Sequence, residues 1–282
     1  MQIYKNINEV LTLKSAHTKD GRNLLPGDTS VIKDAAVVFN EDEILWVGKT
    51  NDIPEDIIQD MRELGLFGLS IPEEYGGLGL SMGQECEVIH ELCKASLSFR
   101  SVIGTTVGIG SQGLVMTGTD QQKEQYLPRF ASGEISSSFC LTEPDAGSDA
   151  ASLRTTADKD GDFYVLNGTK RFITNALRAG MLTVMARTDR AKKGAGGVSA
   201  FLVDPALEGI HIAKADDKMG QRGTKTSDVI FENVRVPASA LMGGVEGQGF
   251  YTAMRVLDRG RLHLSSVATG ISERIQEEAL NY

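Results

Sequence analysis

The stretch SSSFCLTEPDAGSDAASLRTTADKDGDFYVLNGTKRFITN, residues 136–175, decides how this chain is read. Residues 136–142 alternate small polar and apolar side chains as a strand does. The alternation breaks at Glu143-Pro144-Asp145-Ala146-Gly147-Ser148, where Pro and Gly end a ladder. Such a break frees peptide N–H groups and hydroxyls. Thr142 and Ser148, at either end of it, then offer neutral donors to a carbonyl-rich ring on one side and to phosphate oxygens on the other.

Asp160-Gly161 and Asn167-Gly168 follow as two hairpin signals, so the spacing predicts a three-stranded meander. Its last strand, residues 169–174, places Phe172 and Thr174 on the face opposite Ile173, an aromatic ring beside a hydroxyl. A flat, redox-active cofactor of the flavin type fits that pairing. It stacks on the ring, accepts from the hydroxyl and relies on the protein for placement and dryness. Either turn alone signals no more than an antiparallel sheet.

Taken together, Thr-Glu-Pro-x-Ala-Gly-Ser-Asp and Asn-Gly-x-Lys-x-x-Ile-Thr-Asn resemble the acyl-CoA dehydrogenase family. FGLSIPEEYGG at 67–77, KMGQRGTKTSDVIFENVRVP at 218–237 and GQGFYTAMRVLDRGR at 247–261 continue the resemblance in order, over residues from about 55 to 282. The fold so implied is α+β: an amino-terminal helical domain, then an antiparallel β-barrel-like domain, with the carboxy-terminal helical bundle largely missing.

The resemblance implies FAD as cofactor, lined by Phe139, Cys140, Leu141, Thr142, Gly147, Ser148, Phe172, Ile173 and Thr174. The family often has Trp where this chain has Phe172. It implies an acyl-CoA thioester held by Ser148, Ser199, Asp258, Arg259, Gly260 and Arg261, and α,β-dehydrogenation to a 2-enoyl-CoA. An electron-transfer flavoprotein is the implied electron acceptor, and family members are homo-oligomers. The family's catalytic base is a Glu in a carboxy-terminal helical domain or, in some members, at the helix position that is Gly260 here. Neither is present, so a flavin half-site without a base is expected. An incomplete or inactive fragment, or a non-catalytic flavin and thioester binder, is the corresponding reading.

Four segments are expected: 1–53 as a small β-rich unit, 54–133 as the helical domain, 134–242 as the β-domain, and 243–282 as the first helix of a truncated helical domain. In the last, Leu264, Val267, Ala268, Ile271, Ile275 and Ala279 repeat at helical spacing and predict an apolar stripe with no terminating Gly or Pro. Residues 1–50 resemble instead the opening of an amidohydrolase such as imidazolonepropionase. Residues 34–39 and 43–48 read as strands joined by Asn40-Glu41-Asp42, with no His-x-His motif after them. A metal-dependent hydrolase is the distant alternative.

A net charge of -9 argues against nucleic-acid partners, which call for a basic face. Arg255, Arg259 and Arg261 form one local basic cluster. Three cysteines without a CxxC predict no disulfide framework, and the absence of any long apolar run predicts no membrane span, making the cytoplasm the default location. Cys86, His90 and Cys93 share a helix face, but core packing explains them, and no metal is expected. Ser81 and Gln84 predict a capping box ahead of that helix. Residues 108–113 satisfy GxGxxG without the βαβ continuation a nicotinamide site requires. The helix that begins at Thr119 is expected to end at Pro128.

Overall fold

The computed structural model describes residues 2–12, 30–39, 44–49 and 55–281. Three antiparallel strands open the chain, β1 (Gln2–Thr12), β2 (Ser30–Phe39) and β3 (Ile44–Lys49), in the order β1-β2-β3. The two expected strands are β2 and β3. The turn at Asn40, Glu41 and Asp42 and the switch at 51–54 lie outside the described residues.

The helical layer comprises α1 (Glu55–Glu63), α2 (Met82–Ala95), α3 (Leu97–Gly104), α4 (Ser111–Thr117) and α5 (Asp120–Ala131). The capping box predicts the start of α2 correctly: Gln84 N donates to Ser81 Oγ, and Ser81 N donates to Gln84 Oε1 at 2.9 Å. Between α3 and α4, residues Thr105–Gly110 form a π-helical turn, so residues 97–117 wind as one interrupted helix. Gly110 explains the small residues read at 108–113. A Cβ there would overlap Ser137 Oγ, so glycine alone lets the π-turn press onto the sheet. The helix from Asp120 runs through Pro128 to Ala131 instead of stopping. Pro128 forfeits one intrahelical donor near the end, and the last turn buries Phe130 and Ala131.

Seven strands make the β-domain: β4 (Ser137–Cys140), β5 (Thr156–Asp160), β6 (Phe163–Thr174), β7 (Met181–Arg187), β8 (Val198–Val203), β9 (Ile210–Ile212) and β10 (Thr226–Pro237). Their order is β4-β7-β5-β6-β10-β9, with β8 on β7. The sheet is mixed rather than wholly antiparallel, because β4 returns beside β7 in parallel after the β5–β6 hairpin. Flanked by β4 and β8, β7 is buried on both faces and reads as the near-continuous apolar run MLTVMA. Leu182, Val184 and Ala186 enter one core with Phe201, Phe231 and Tyr164, while Met181 and Met185 enter a second with Leu114, Leu127 and Phe130 of the helices.

Asp160-Gly161 makes the expected hairpin, but Asn167-Gly168 does not: β6 runs straight through it. Gly168 is there for close approach, since a Cβ would strike Thr155, and its φ is +151°. Asn167 meets a bulge in β10. Its Oδ1 accepts from Asn233 N at 2.8 Å, and its Nδ2 donates to Asn233 Oδ1 at 3.2 Å.

The loop after β4 is fixed by a buried ion pair. Lys170 Nζ, with its side chain 0% exposed, lies 2.8 Å from Glu143 Oε1 and 3.2 Å from Leu141 O. The same carboxylate accepts from Arg154 N at 2.6 Å, and from Thr155 N at 3.0 Å and Thr155 Oγ1 at 2.5 Å. Burial alone would raise the Glu143 pKa. The Lys170 charge and these hydrogen bonds outweigh burial and hold it below the usual carboxylate range. Burial likewise lowers the pKa of Lys170, opposed by Glu143.

Helix α6 (Gly249–Asn281) closes the described chain. It buries Gly249, Ala253, Val256, Gly260, His263, Val267 and Gly270, a line that follows the helix at alternating steps of three and four. Of the expected stripe, Val267 and Ile271 pack against Ile89 and Cys93 of α2. Leu264, Ala268, Ile275 and Ala279 are exposed, because the small residues and His263 take the inner face. Among the described residues no helix is long and apolar enough to cross a membrane.

Two outcomes follow from this packing. Gly168→Ala is expected to cost about 3 kcal/mol, from overpacking and a backbone angle that side chains avoid, measured as a lowered urea midpoint. Glu143→Gln leaves Lys170 buried without its counter-charge and is expected to cost about 3–5 kcal/mol. Because the folded pKa of Glu143 lies below its unfolded value, the stability it contributes is full above a pH of about 4.3 and is lost as pH falls through the folded value. Urea melts between neutral and acid pH should show that slope in the wild type, and a shallower one in the variant.

Candidate functional site

A cleft of about 470 Å³ lies between the loop after β4, the end of β6 and the start of α6. Its walls include Phe139, Leu141, Thr142, Gly147, Ser148, Phe172, Ile173 and Thr174, so eight of the nine residues expected around a flavin meet there. Cys140 does not. It alternates inward from β4 and is fully buried in the sheet core, where burial pushes its thiol up to about 12.

Local chain geometry sets this arrangement. Arg171 N donates to Thr142 O at 2.8 Å, and Ser138 Oγ donates to Thr174 O at 2.8 Å, which ties β6 to the strand and loop opposite. The β6–β10 register shifts opposite residues 170–173, and Phe172 takes φ +58°, a left-handed angle uncommon for a large side chain. That twist turns the ring outward, 57% exposed, with the Arg171 guanidinium 4.8 Å from its centroid. Ile173 remains in the core at 2%. Strain of this kind persists where surrounding contacts impose it.

Asn175, with φ +63°, imposes much of it. Its Nδ2 reaches Ser101 O at 2.9 Å, Val102 O at 3.3 Å and Thr105 Oγ1 at 2.8 Å, clamping the sheet onto α3 and the π-turn. The hydroxyls of Thr142, Ser148 and Thr174 take no partner among the described residues, so three neutral donors stand open to the cleft. Asp149, the one carboxylate in its wall, accepts from Ser152 Oγ at 2.5 Å.

The residues expected to hold a thioester divide. Ser148 and Arg261 line this cleft, and Gly260 and Arg261 line a second one beside it, with Asp258 paired to Arg261 on the same helix. Gly260 is not a forced glycine: a Cβ there would lie 3.4 Å from Ile109, an ordinary contact. Arg259 turns the other way, to the buried Glu85 of α2, which also lies 3.0 Å from His263 Nε2. Ser199 is buried in β8, 2.7 Å from Thr188 Oγ1, and accepts from Gly247 N at 2.9 Å. Arg255 is exposed.

Sequence reasoning did not place Thr105, Ile109, Phe250, Met254 and Leu257 in the wall. The signal for the first two was the run of small residues at 104–110, which marks a helix pressed against something. For the others it was the i, i+4, i+7 spacing after Gly249.

The chain matches two family models, described as the acyl-CoA dehydrogenase N-terminal domain over residues 29–134 and the acyl-CoA dehydrogenase middle domain over residues 138–234. It is 40% identical over 236 residues to a 3-(aryl)acrylate reductase of Clostridium sporogenes, covering 84% of this chain and 62% of that one. To the acryloyl-CoA reductase (NADH) of Anaerotignum propionicum it is 38% identical over 279 residues, 97% of this chain and 70% of the other. The solved butyryl-CoA dehydrogenase of Megasphaera elsdenii superposes with a TM-score of 0.78 at 35% identity, over 81% of this chain and 60% of that one. The chain thus spans about three fifths of the length of several relatives it matches. On fold and sequence together, it belongs to the acyl-CoA dehydrogenase family.

Proposed function

We propose that this chain holds FAD in the cleft between β4, β6 and α6 and orients an acyl-CoA thioester against it, as part of a flavoprotein oxidoreductase interconverting saturated and 2,3-unsaturated acyl thioesters. One observation carries the reading: three unengaged hydroxyls, from Thr142, Ser148 and Thr174, stand around an outward-turned aromatic ring in a single cleft. That donor set fits the group. Neutral donors suit the carbonyl and nitrogen edge of a flavin, and Gly147 and Ser148 leave room for its phosphates.

FAD, the family's cofactor, supplies when bound the capacity to take a hydride from the β-carbon of a thioester. This chain's own residues do the rest. Thr142 and Thr174 would donate to the flavin, Phe172 would cover part of it, and Ile109, Phe250, Met254 and Leu257 give the cleft an apolar wall that excludes water. Fixed donors in a dry wall need no reorganisation when charge develops. Arg261 places a cation where an anionic carrier enters. Among the described residues, Asp149 is the one carboxylate lining the first cleft, bonded to Ser152, and none lines the second. Binding and orientation are the roles that the lining residues support. An electron-transfer flavoprotein as redox partner belongs to the same proposal, with the exposed face of Phe172 on the route outward.

The test is a titration of the purified chain with FAD, followed by flavin fluorescence. One-to-one binding is expected, with Thr142→Val and Thr174→Val each weakening it about tenfold, the worth of one hydrogen bond of about 1.4 kcal/mol, and exposed Arg255→Ala leaving it unchanged. No saturable binding, or equal affinity in all four proteins, overturns the assignment.

A further inference from the structure

The segment 243–248 leads from the β-domain into α6, whose Phe250, Met254, Leu257 and Arg261 follow on one helical face and line the flavin cleft. Where this short strap lies therefore decides where that wall stands. Val245, Glu246 and Gln248 are exposed, and no strand ladder runs through them. Three side chains tether the strap instead. Gln122 Oε1 accepts from Gly243 N at 3.1 Å, the Tyr164 hydroxyl donates to Glu246 Oε1 at 2.5 Å, and Ser199 Oγ accepts from Gly247 N at 2.9 Å.

The Ser199 tether stands nearest to α6. Ser199 is 0% exposed and lines neither cleft, so its hydroxyl does not meet a thioester in them. Its place on β8 is set by pairing with Ala186 of β7, and Thr188, one step beyond that strand, brings its own hydroxyl to 2.7 Å. Whichever of the two hydroxyls donates, Ser199 Oγ keeps a lone pair for Gly247 N. The backbones meet as closely. A Cβ on Gly249 would come 2.2 Å from Ser199 C, and one on Gly247 would come 2.7 Å from Gly196 O, so the strap lies directly on the entry to β8.

A backbone N–H drawn away from water and left without an acceptor costs more than its hydrogen bond contributes when made. Among the described residues Gly247 N has one acceptor, and it is this hydroxyl. From this geometry we infer that Ser199 is a positioning residue for the flavin: it fixes the strap at Gly247, and through it the wall that Phe250 and Met254 give the cleft, without touching cofactor or thioester. The inference rests on the proposed FAD site and deepens it by adding a residue that acts from behind the wall.

Fluorescence titration with FAD, and iodide quenching of the flavin once bound, test the assignment. Ser199→Ala is expected to weaken FAD about tenfold, the worth of one hydrogen bond, and to leave the bound flavin more open to iodide. Ser199→Thr keeps the hydroxyl and should stay within about threefold of the wild type. If Ser199→Ala lowers only the urea midpoint, with FAD affinity and iodide quenching unchanged, the residue merely stabilises the fold and the inference is overturned. Loss of acyl-CoA affinity with FAD binding intact makes Ser199 a thioester contact and overturns it too, leaving the thioester reading in place. One arm needs no variant to fold: hydrogen exchange at the Gly247 amide of the wild type should slow about tenfold on FAD saturation, because ligand and strap bias each other reciprocally. Equal exchange with and without FAD overturns the inference alone, whereas a wild type that binds no FAD overturns the cofactor assignment with it.

Discussion

The ion pair between Lys170 and Glu143 is the constraint on which the cleft depends. A loop carrying Pro and Gly has no ladder of its own, and Thr142 and Ser148 are useful only if it is held still. Glu143 holds it by drawing an ammonium and three further donors from two other segments into one buried carboxylate. Satisfied this completely, the pair specifies a single loop conformation; with either partner removed it becomes a buried charge without compensation. The same strand that supplies Lys170 supplies Phe172 and Thr174 two and four residues on. Loop and ring wall are therefore set by one registration of β6.

The second constraint is the join between helices and sheet. Asn175 reaches three acceptors on α3 and the π-turn, and Gly110 lets that turn lie against Ser137. From the far side, Glu85 takes both Arg259 and His263 and keys α6 to α2. The Asn175 and Glu85 contacts are polar and wholly or partly buried, so each fixes a position as well as adding stability. The two clefts lie between these keys.

Much of this was legible in the sequence. The alternation before Glu143 and the Pro–Gly break gave the strand and loop, and the Ser81–Gln84 box gave a helix start, because those signals are local. What was not legible depended on partners distant in the chain. Asn167-Gly168 has hairpin chemistry, but Thr155 and Asn233 use it for close approach and for a bulge. The apolar stripe on α6 was real at Val267 and Ile271, which meet Ile89 and Cys93, yet small residues and His263 took the rest of the inner face, because there α2 brings Glu85 and a close backbone. Asp258 and Arg259 share α6 with residues that do reach a cleft. Side-chain direction, which a motif does not carry, sent them elsewhere. The significance of Glu143 and Lys170 was hidden for the same reason: 27 positions apart, nothing in the sequence pairs them until the fold brings them together out of water.

The π-turn at Thr105–Gly110 carries one residue more than an α-helix would use in the same span. Each residue advances a helix by about 100°. Wound as regular α-helix with all six residues kept, the segment would swing everything upstream by that angle, carrying Arg100 and Ser101 off the second cleft and stranding the amide of Asn175. The wider turn thus works as a phase adjuster: by absorbing the extra residue it sets which face of α3 looks inward, independently of what the side chains on that face are.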